Sequence, residues 1–341
     1  DAAIKAGAEP YAAPAWCTPR DAGVVASPAL TVGQGRFALP AGQPDGFRVS
    51  PRMDAATEDL AERLIDELQL GRGAAPDLLS VSFSATDYVG HTFGPGGQEM
   101  CLNLAALDNA LERFFARLDQ AGRRYVAVLT ADHGGVDLPE RSRLRALPSA
   151  GRIPAELSAE ALGRAVGRRL GVDRPVLFGG PTANLWIDRT LSPGQRARAL
   201  RLAMRQLSVM PGVEAVFTRD AILAIPFPRG APDGWSLLQR VRASYDPDRG
   251  GDLYVIPRAH LTPLADPTGA YVAMHGTPWD YDRRVPILFW GPGVHRFEQP
   301  LAVATVDIAP TLAALLDLPL QPHTMDGRCL GITERLAEIC H

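Results

Sequence analysis

Five residues have types and spacings that could do metal chemistry: Asp87, His91, Asp132, His133 and His275. Asp87 and His91 sit in Thr86-Asp87-Tyr88-Val89-Gly90-His91, Asp132 and His133 in Ala131-Asp132-His133-Gly134-Gly135, and His275 in Met274-His275-Gly276. Carboxylate oxygens and imidazole nitrogens together suit a borderline divalent cation such as zinc. Glycines directly after such residues let the backbone turn tightly and leave room for a substrate. Each fragment alone is ordinary loop sequence. What sets them apart is that two of them follow apolar runs that read as strands. His260, His295, His323 and His341 lack such an Asp/Gly context and read as surface or core histidines.

The elements that must position these residues follow from hydrophobic periodicity. The run Leu78-Leu79-Ser80-Val81-Ser82-Phe83 reads as a buried strand, and YVAVLT at 125–130 as another. Between them a helix over 99–120 carries Leu104, Leu107, Leu111, Phe114, Phe115 and Leu118 on one face. Strand, helix and strand make a βαβ unit, hence a parallel sheet covered by helices. In such sheets ligands bind beyond the carboxyl ends of the strands, which is where Asp87, His91, Asp132 and His133 fall.

A further helix is expected over 54–70, with Asp54 as its N-cap. Residues 1–50, rich in Ala, Pro and Gly, read as irregular. The pattern changes over 138–245. Helices are expected at 159–170 and 193–207, the latter with Ser192 as N-cap and Pro193 at its first position, and strands at 183–187 and 214–217. The core resumes with strands at 253–256 and 287–290, a helix at 307–316 and a closing helix at 333–339. The fold class is therefore α/β, a mostly parallel central sheet with helices on both faces. Residues 1–137 and 246–341 form its core, and 138–245 an inserted α+β subdomain.

Composition narrows the classes. The 341 residues are 46% hydrophobic and carry a formal charge of −3, which offers no basis for a nucleic-acid patch or an anionic membrane partner. No run approaches the roughly 20 apolar residues of a membrane span. Lys5 is the only lysine among 35 basic residues, and the arginines are spread along the chain rather than gathered as a phosphate wall. The even set Cys17, Cys101, Cys329 and Cys340 permits disulfides in an oxidising compartment, and Cys329 with Cys340, bracketing a short helical stretch, is the favoured pair. The chain begins at Asp1 with neither an initiator Met nor a signal peptide and reads as a processed product or a fragment.

At these residues the sequence resembles the alkaline phosphatase superfamily, in the branch of type I phosphodiesterases, nucleotide pyrophosphatases and PafA-type alkaline phosphatases. The matching segments are Ser84 to Pro95 (SATDYVGHTFGP) with Glu99, then Leu129-Thr130-Ala131-Asp132-His133-Gly134. They continue with His275-Gly276, Tyr281-Asp282 and Val285-Pro286, and with Asp307-Ile308-Ala309-Pro310-Thr311-Leu312. The wording from Asp87 to His91 is most similar to the PafA-type monoesterases.

The resemblance implies two zinc ions. Asp87, His91 and His275 match the three protein ligands of one, and Asp132 and His133 two ligands of the other. It also implies a Thr or Ser nucleophile that takes the phosphoryl group and a phosphate-contacting Asn and Lys-x-Arg, all upstream of the matched part. The expected partners are thus a phosphate ester, inorganic phosphate and the N-terminal part of the same protein, in the periplasm or outside the cell. The leading function is hydrolysis of phosphate monoesters. Alternatives are a phosphodiesterase or nucleotide pyrophosphatase, or a metal-binding fragment without activity of its own. A sulfatase-like member would need a modified Cys or Ser upstream, and a mutase-like member fits less well around Asp87. A fragment without its first strands is expected to expose a sheet edge and apolar surface.

Overall fold

The computed structural model describes the whole chain except residues 1–3, 6, 13, 19, 40, 181, 268–270, 320–324 and 341, so His323 and His341 lie outside the described residues. The N-terminal part forms two antiparallel pairs, β1 (Ala8–Ala12) with β4 (Arg36–Leu39) and β2 (Val24–Ser27) with β3 (Leu30–Val32). It is tied to the body by a disulfide between Cys17 and Cys101. The other two cysteines, Cys329 and Cys340, pair as expected.

After the short helix α1 (Pro44–Arg48), α2 runs over Pro51–Glu67, and the expectation of Asp54 as its N-cap is corrected. Pro51 is pre-set for a first helical turn, so the helix starts three residues earlier. Asp54 is buried on its inner face and caps a different helix: its Oδ1 accepts the Ala85 amide at 3.0 Å. That amide opens α3 (Ala85–Phe93), which is followed by the long helix α4 (Gln98–Gln120). Arg113 of α4 reaches Glu58 of α2 at 2.7 Å, and Arg117 bridges to Glu62 and Asp66.

Strand β5 (Ala127–Thr130) forms as expected, but its expected parallel partner at 78–83 does not. That segment joins no ladder among the described residues. Leu78 is 66% exposed, and exposed and half-buried residues alternate along the rest of it. A strand is stabilised by the neighbour that takes its backbone groups, and here no neighbour does. Instead β5 pairs antiparallel with β12 (Ile287–Trp290), with Ile287 opposite Thr130 and Trp290 opposite Ala127. Leu78, Leu129, Leu288 and Trp290 are all exposed in this region.

The middle of the chain is a three-layer unit. After α5 (Pro139–Leu144) and β6 (Gly151–Arg152) come α6 (Ala159–Leu170), β7 (Leu177–Gly179), β8 (Ala183–Ile187), α7 (Pro193–Leu207), β9 (Val213–Thr218), α8 (Arg219–Ala224) and α9 (Leu237–Ser244). Ser192 accepts the Gln195 amide while Gln195 returns a bond to Ser192, the capping box that the sequence allows.

Strand β10 (Leu253–Pro257) corrects the expected boundary, because it lies in the sheet β7–β8–β10–β9 rather than with the core strands. All five of its residues are buried, which requires two apolar faces. Leu253 and Val255 face the cluster with α6 and α7, and Tyr254 and Ile256 face the cluster with α8 and α9.

The short β11 (Leu261–Thr262) pairs with β6, the only parallel ladder among the described residues. The layering of helices beside sheets is thus α/β, while the ladders are mainly antiparallel, not mostly parallel. The helix α10 (Asp280–Arg283) precedes β12, and α11 (Ile308–Leu315) and α12 (Glu334–Ile339) close the chain. Among the described residues no helix is long and apolar enough to cross a membrane.

Candidate metal centre

Helix α3 presents Asp87 and His91 one turn apart on the same face. Its start is held by Asp54 and by Asn103 of α4, whose Nδ2 donates to Thr86 Oγ1 at 3.0 Å. Its end is set by Gly94, at φ +77° with its amide on the Gly90 carbonyl at 2.9 Å. The fully buried Arg141 of α5 donates to the Phe93 carbonyl at 3.1 Å, a cation placed at a helix C-terminus.

The segment carrying His275 is laid directly against this helix. The His91 carbonyl accepts the Val272 amide at 2.7 Å and the Ala273 amide at 3.2 Å, while the Ala273 carbonyl sits 2.8 Å from His91 Nδ1. A carbonyl can only accept, so Nδ1 carries the proton and Nε2 is left with a lone pair. His133 is prepared in the same way, with Nδ1 2.9 Å from the Gly134 carbonyl.

These contacts bring the side chains of Asp87, His91, His133 and His275 to one place. Asp87 Oδ1 is 3.4 Å from His91 Nε2 and 3.4 Å from His275 Nε2, and the two nitrogens are 3.2 Å apart. Two donors bound at about 2.0–2.1 Å in a tetrahedral arrangement lie about 3.4 Å apart. The three atoms therefore form one face of a zinc-sized tetrahedron, and the donor set fits that ion. His133 Nε2 lies 3.8 Å from the same Asp87 oxygen, and its ring stacks on His275 at 3.5 Å between centroids. Asp132 Oδ2 is 3.6 Å from His133 Nε2, but its side chain is 87% exposed. The trio is thus half-buried, while the pair Asp132 and His133 is open on the Asp132 side.

Burial, reinforced by the neighbouring His133, pushes the His275 pKa below the ordinary histidine value, which keeps the ring neutral and able to donate a lone pair at neutral pH. Beside it the buried Asp282 accepts from the Thr277 amide at 2.8 Å and from Thr277 Oγ1 at 2.6 Å. Burial pushes the Asp282 carboxyl up, and the bonds from Thr277 oppose that shift. Trp279 anchors the same loop to the three-layer unit through Nε1 on the Pro257 carbonyl at 2.9 Å.

The Gly134 position has no room for a side chain. A Cβ there would meet the Tyr281 carbonyl oxygen at 2.2 Å and the Arg284 carbonyl at 3.4 Å. Gly134→Ala must push the 281–284 backbone away from His133, at a cost of about 1–3 kcal/mol. Denaturant melts of the metal-free chain should show this loss, and zinc affinity should fall with it. An unchanged melting midpoint would contradict this account.

Sequence reasoning named these five residues as candidate ligands, and the structure gathers Asp87, His91, His133 and His275. It missed the buried Arg141 and the role of Asp54, since neither follows a local rule, and it quoted Tyr281-Asp282 without assigning a function to the carboxylate. His260 and His295 are described and lie outside the group of facing donor atoms.

Comparison with known proteins shows the family and the fold of the chain. Residues 14–278 match the family model described as type I phosphodiesterase / nucleotide pyrophosphatase. The chain is 46% identical over 331 residues to alkaline phosphatase PhoK of a Sphingomonas species, covering 96% of this chain and 59% of that protein. It is 27% identical over 277 residues to alkaline phosphatase PafA of Elizabethkingia meningoseptica, covering 80% of this chain and 48% of that one. The crystal structure of wild-type PafA superimposes with a TM-score of 0.71 at 25% identity, over 81% of this chain and 51% of that structure. The chain therefore spans about half to three-fifths of the length of the relatives it matches, and it shares the alkaline phosphatase fold.

Proposed function

The chain belongs to the type I phosphodiesterase / nucleotide pyrophosphatase family, and on that premise we propose that it is the metal-binding part of a two-zinc phosphate monoesterase. The single observation that carries the reading is the triangle of Asp87 Oδ1, His91 Nε2 and His275 Nε2, with edges of 3.4, 3.4 and 3.2 Å.

Asp87, His91 and His275 hold one ion, and Asp132 and His133 hold part of the other. When bound, two such ions lower the pKa of an attacking hydroxyl and offset the charge that builds on the leaving oxygen. The chain's own residues supply the geometry. Ala273 and Gly134 fix the tautomers of His91 and His133, so that both Nε2 atoms face inward. Asp87 brings a carboxylate within reach of three imidazoles. The exposed Asp132 leaves one side of the pair accessible to a substrate phosphoryl group and to further ligands. The nucleophilic Thr or Ser that forms the phospho-enzyme belongs to the part of a relative-length polypeptide not spanned by this chain. The two disulfides support a periplasmic or secreted location.

A preference for monoesters is favoured by the similarity to proteins named alkaline phosphatases, while the family name also covers diesterases. In a polypeptide of the relatives' full length, an aryl phosphate monoester should be turned over with kcat/KM at least about tenfold above that of the matching aryl diester, about 1.4 kcal/mol of differential transition-state binding. The reverse preference would make the protein a diesterase on the same metal site.

A further inference from the structure

Asp87, His91 and His275 are locked to one another by the contacts of α3 with 272–273. His133 arrives separately, on the loop after β5. The β5–β12 ladder ends at Thr130 opposite Ile287, three residues short of His133. Something else must fix His133 against His275, since stacked rings 3.5 Å apart have no directional bond between them.

We propose that Asp282 is the positioning residue that holds the two half-sites in register, its side chain tied to the His275 loop and its main chain to the His133 loop. The inference rests on the two-metal reading above. The Asp282 carboxylate accepts both the amide and the hydroxyl of Thr277, two residues beyond His275. The Asp282 carbonyl accepts the amide of Gly134, one residue beyond His133, at 2.7 Å. One residue thus clamps both loops.

The clamp is dry, with Asp282 only 3% exposed, and in a low-dielectric site its bonds are strong and geometrically demanding. It is braced from below, since the Asp282 amide donates to the Trp279 carbonyl at 3.1 Å. Gly134 completes the fit, because any Cβ would strike the Tyr281 carbonyl beside the clamp. The second oxygen, Oδ1, is buried and meets no hydrogen-bond donor among the described residues.

Three variants of the chain test this: Asp282→Ala removes the carboxylate, Asp282→Asn keeps an oxygen able to accept both Thr277 bonds, and Thr277→Val removes only the hydroxyl. Two readouts are used, zinc affinity by chelator competition and the imidazole proton shifts of the metal-free chain by NMR. In the parent chain the stacked rings of His133 and His275 shift each other's resonances, and His260 and His295 serve as internal controls. Asp282→Ala should weaken zinc about ten- to a hundredfold, the range for residues that orient metal ligands. It should also move the His133 and His275 resonances while the controls stay in place. Asp282→Asn should remain within about threefold of the parent, and Thr277→Val should fall between the two.

A folded Asp282→Ala chain with unchanged ring shifts and zinc affinity would overturn the proposal. If that variant does not fold, Thr277→Val decides it by the same readouts, and no change in either would overturn it. A parent chain that binds no zinc sinks the two-metal reading instead, and the ring shifts of the metal-free chain still test the clamp.

Discussion

Asp87→Ala should leave a chain that folds but holds zinc more than about a hundredfold less tightly, a loss beyond the range seen for residues that only orient ligands. Asp87 Oδ1 lies within 3.8 Å of three imidazole Nε2 atoms, those of His91, His133 and His275. Removing it takes away one corner of the donor triangle and the only negative charge inside it. The imidazoles that remain bring no negative charge to offset a dication. The fold should survive because the Asp87 side chain is 37% exposed and makes no hydrogen bond that closes the core. What the helix loses is an acidic residue in its first turn, worth about 0.3–1 kcal/mol. Zinc titration against a competing chelator, paired with a melt of the metal-free chain, separates the two effects. Zinc affinity within about tenfold of the parent would remove Asp87 from the site.

Much of this centre was legible in the sequence, because its parts are local. Asp87 and His91 share one short motif, which the sequence placed after a strand and the structure places on a helix, and Asp132 and His133 follow a strand whose apolar pattern needs no partner to be read. The helices at 159–170 and 193–207 and the strand at 287–290 also formed where periodicity and capping placed them. What was not legible depends on who pairs with whom. The run at 78–83 has the composition of a strand, but a ladder needs a neighbour, and none of the described strands pairs with it. Strand β10 looks like a core strand because both its faces are apolar. That property placed it centrally without saying in which sheet. Asp54 has the residue type of a cap, yet Pro51 starts the helix earlier and frees the carboxylate to cap α3. Asp282 shows the same limit: its two bonded partners lie 5 positions before it and 148 positions before it, and only the fold joins them.

The zinc-loaded chain by itself should show no phosphatase activity, with turnover lower by a factor on the order of 10⁶ than that of a polypeptide of the relatives' full length. This is the scale of loss when a hydrolase is deprived of its nucleophile. Three hydroxyls on or beside the segments that carry the donors are already committed. Thr277 Oγ1 donates to Asp282, Thr86 Oγ1 accepts from Asn103, and Ser84 Oγ pairs with Ser82. Moving any of them would loosen the loop or helix that carries a donor. The pair Asp132 and His133 offers two donors where a closed zinc site takes four, so it is incomplete without groups from elsewhere. The exposed Leu78, Leu129, Leu288 and Trp290 give the remaining part of such a polypeptide an apolar face to cover. Assaying an aryl phosphate with the zinc-loaded chain, and then with the chain joined to the rest of a full-length relative, tests this directly. Turnover by the chain alone at a rate near that of the joined protein would place the nucleophile among the residues described above and would overturn the assignment of a divided active site.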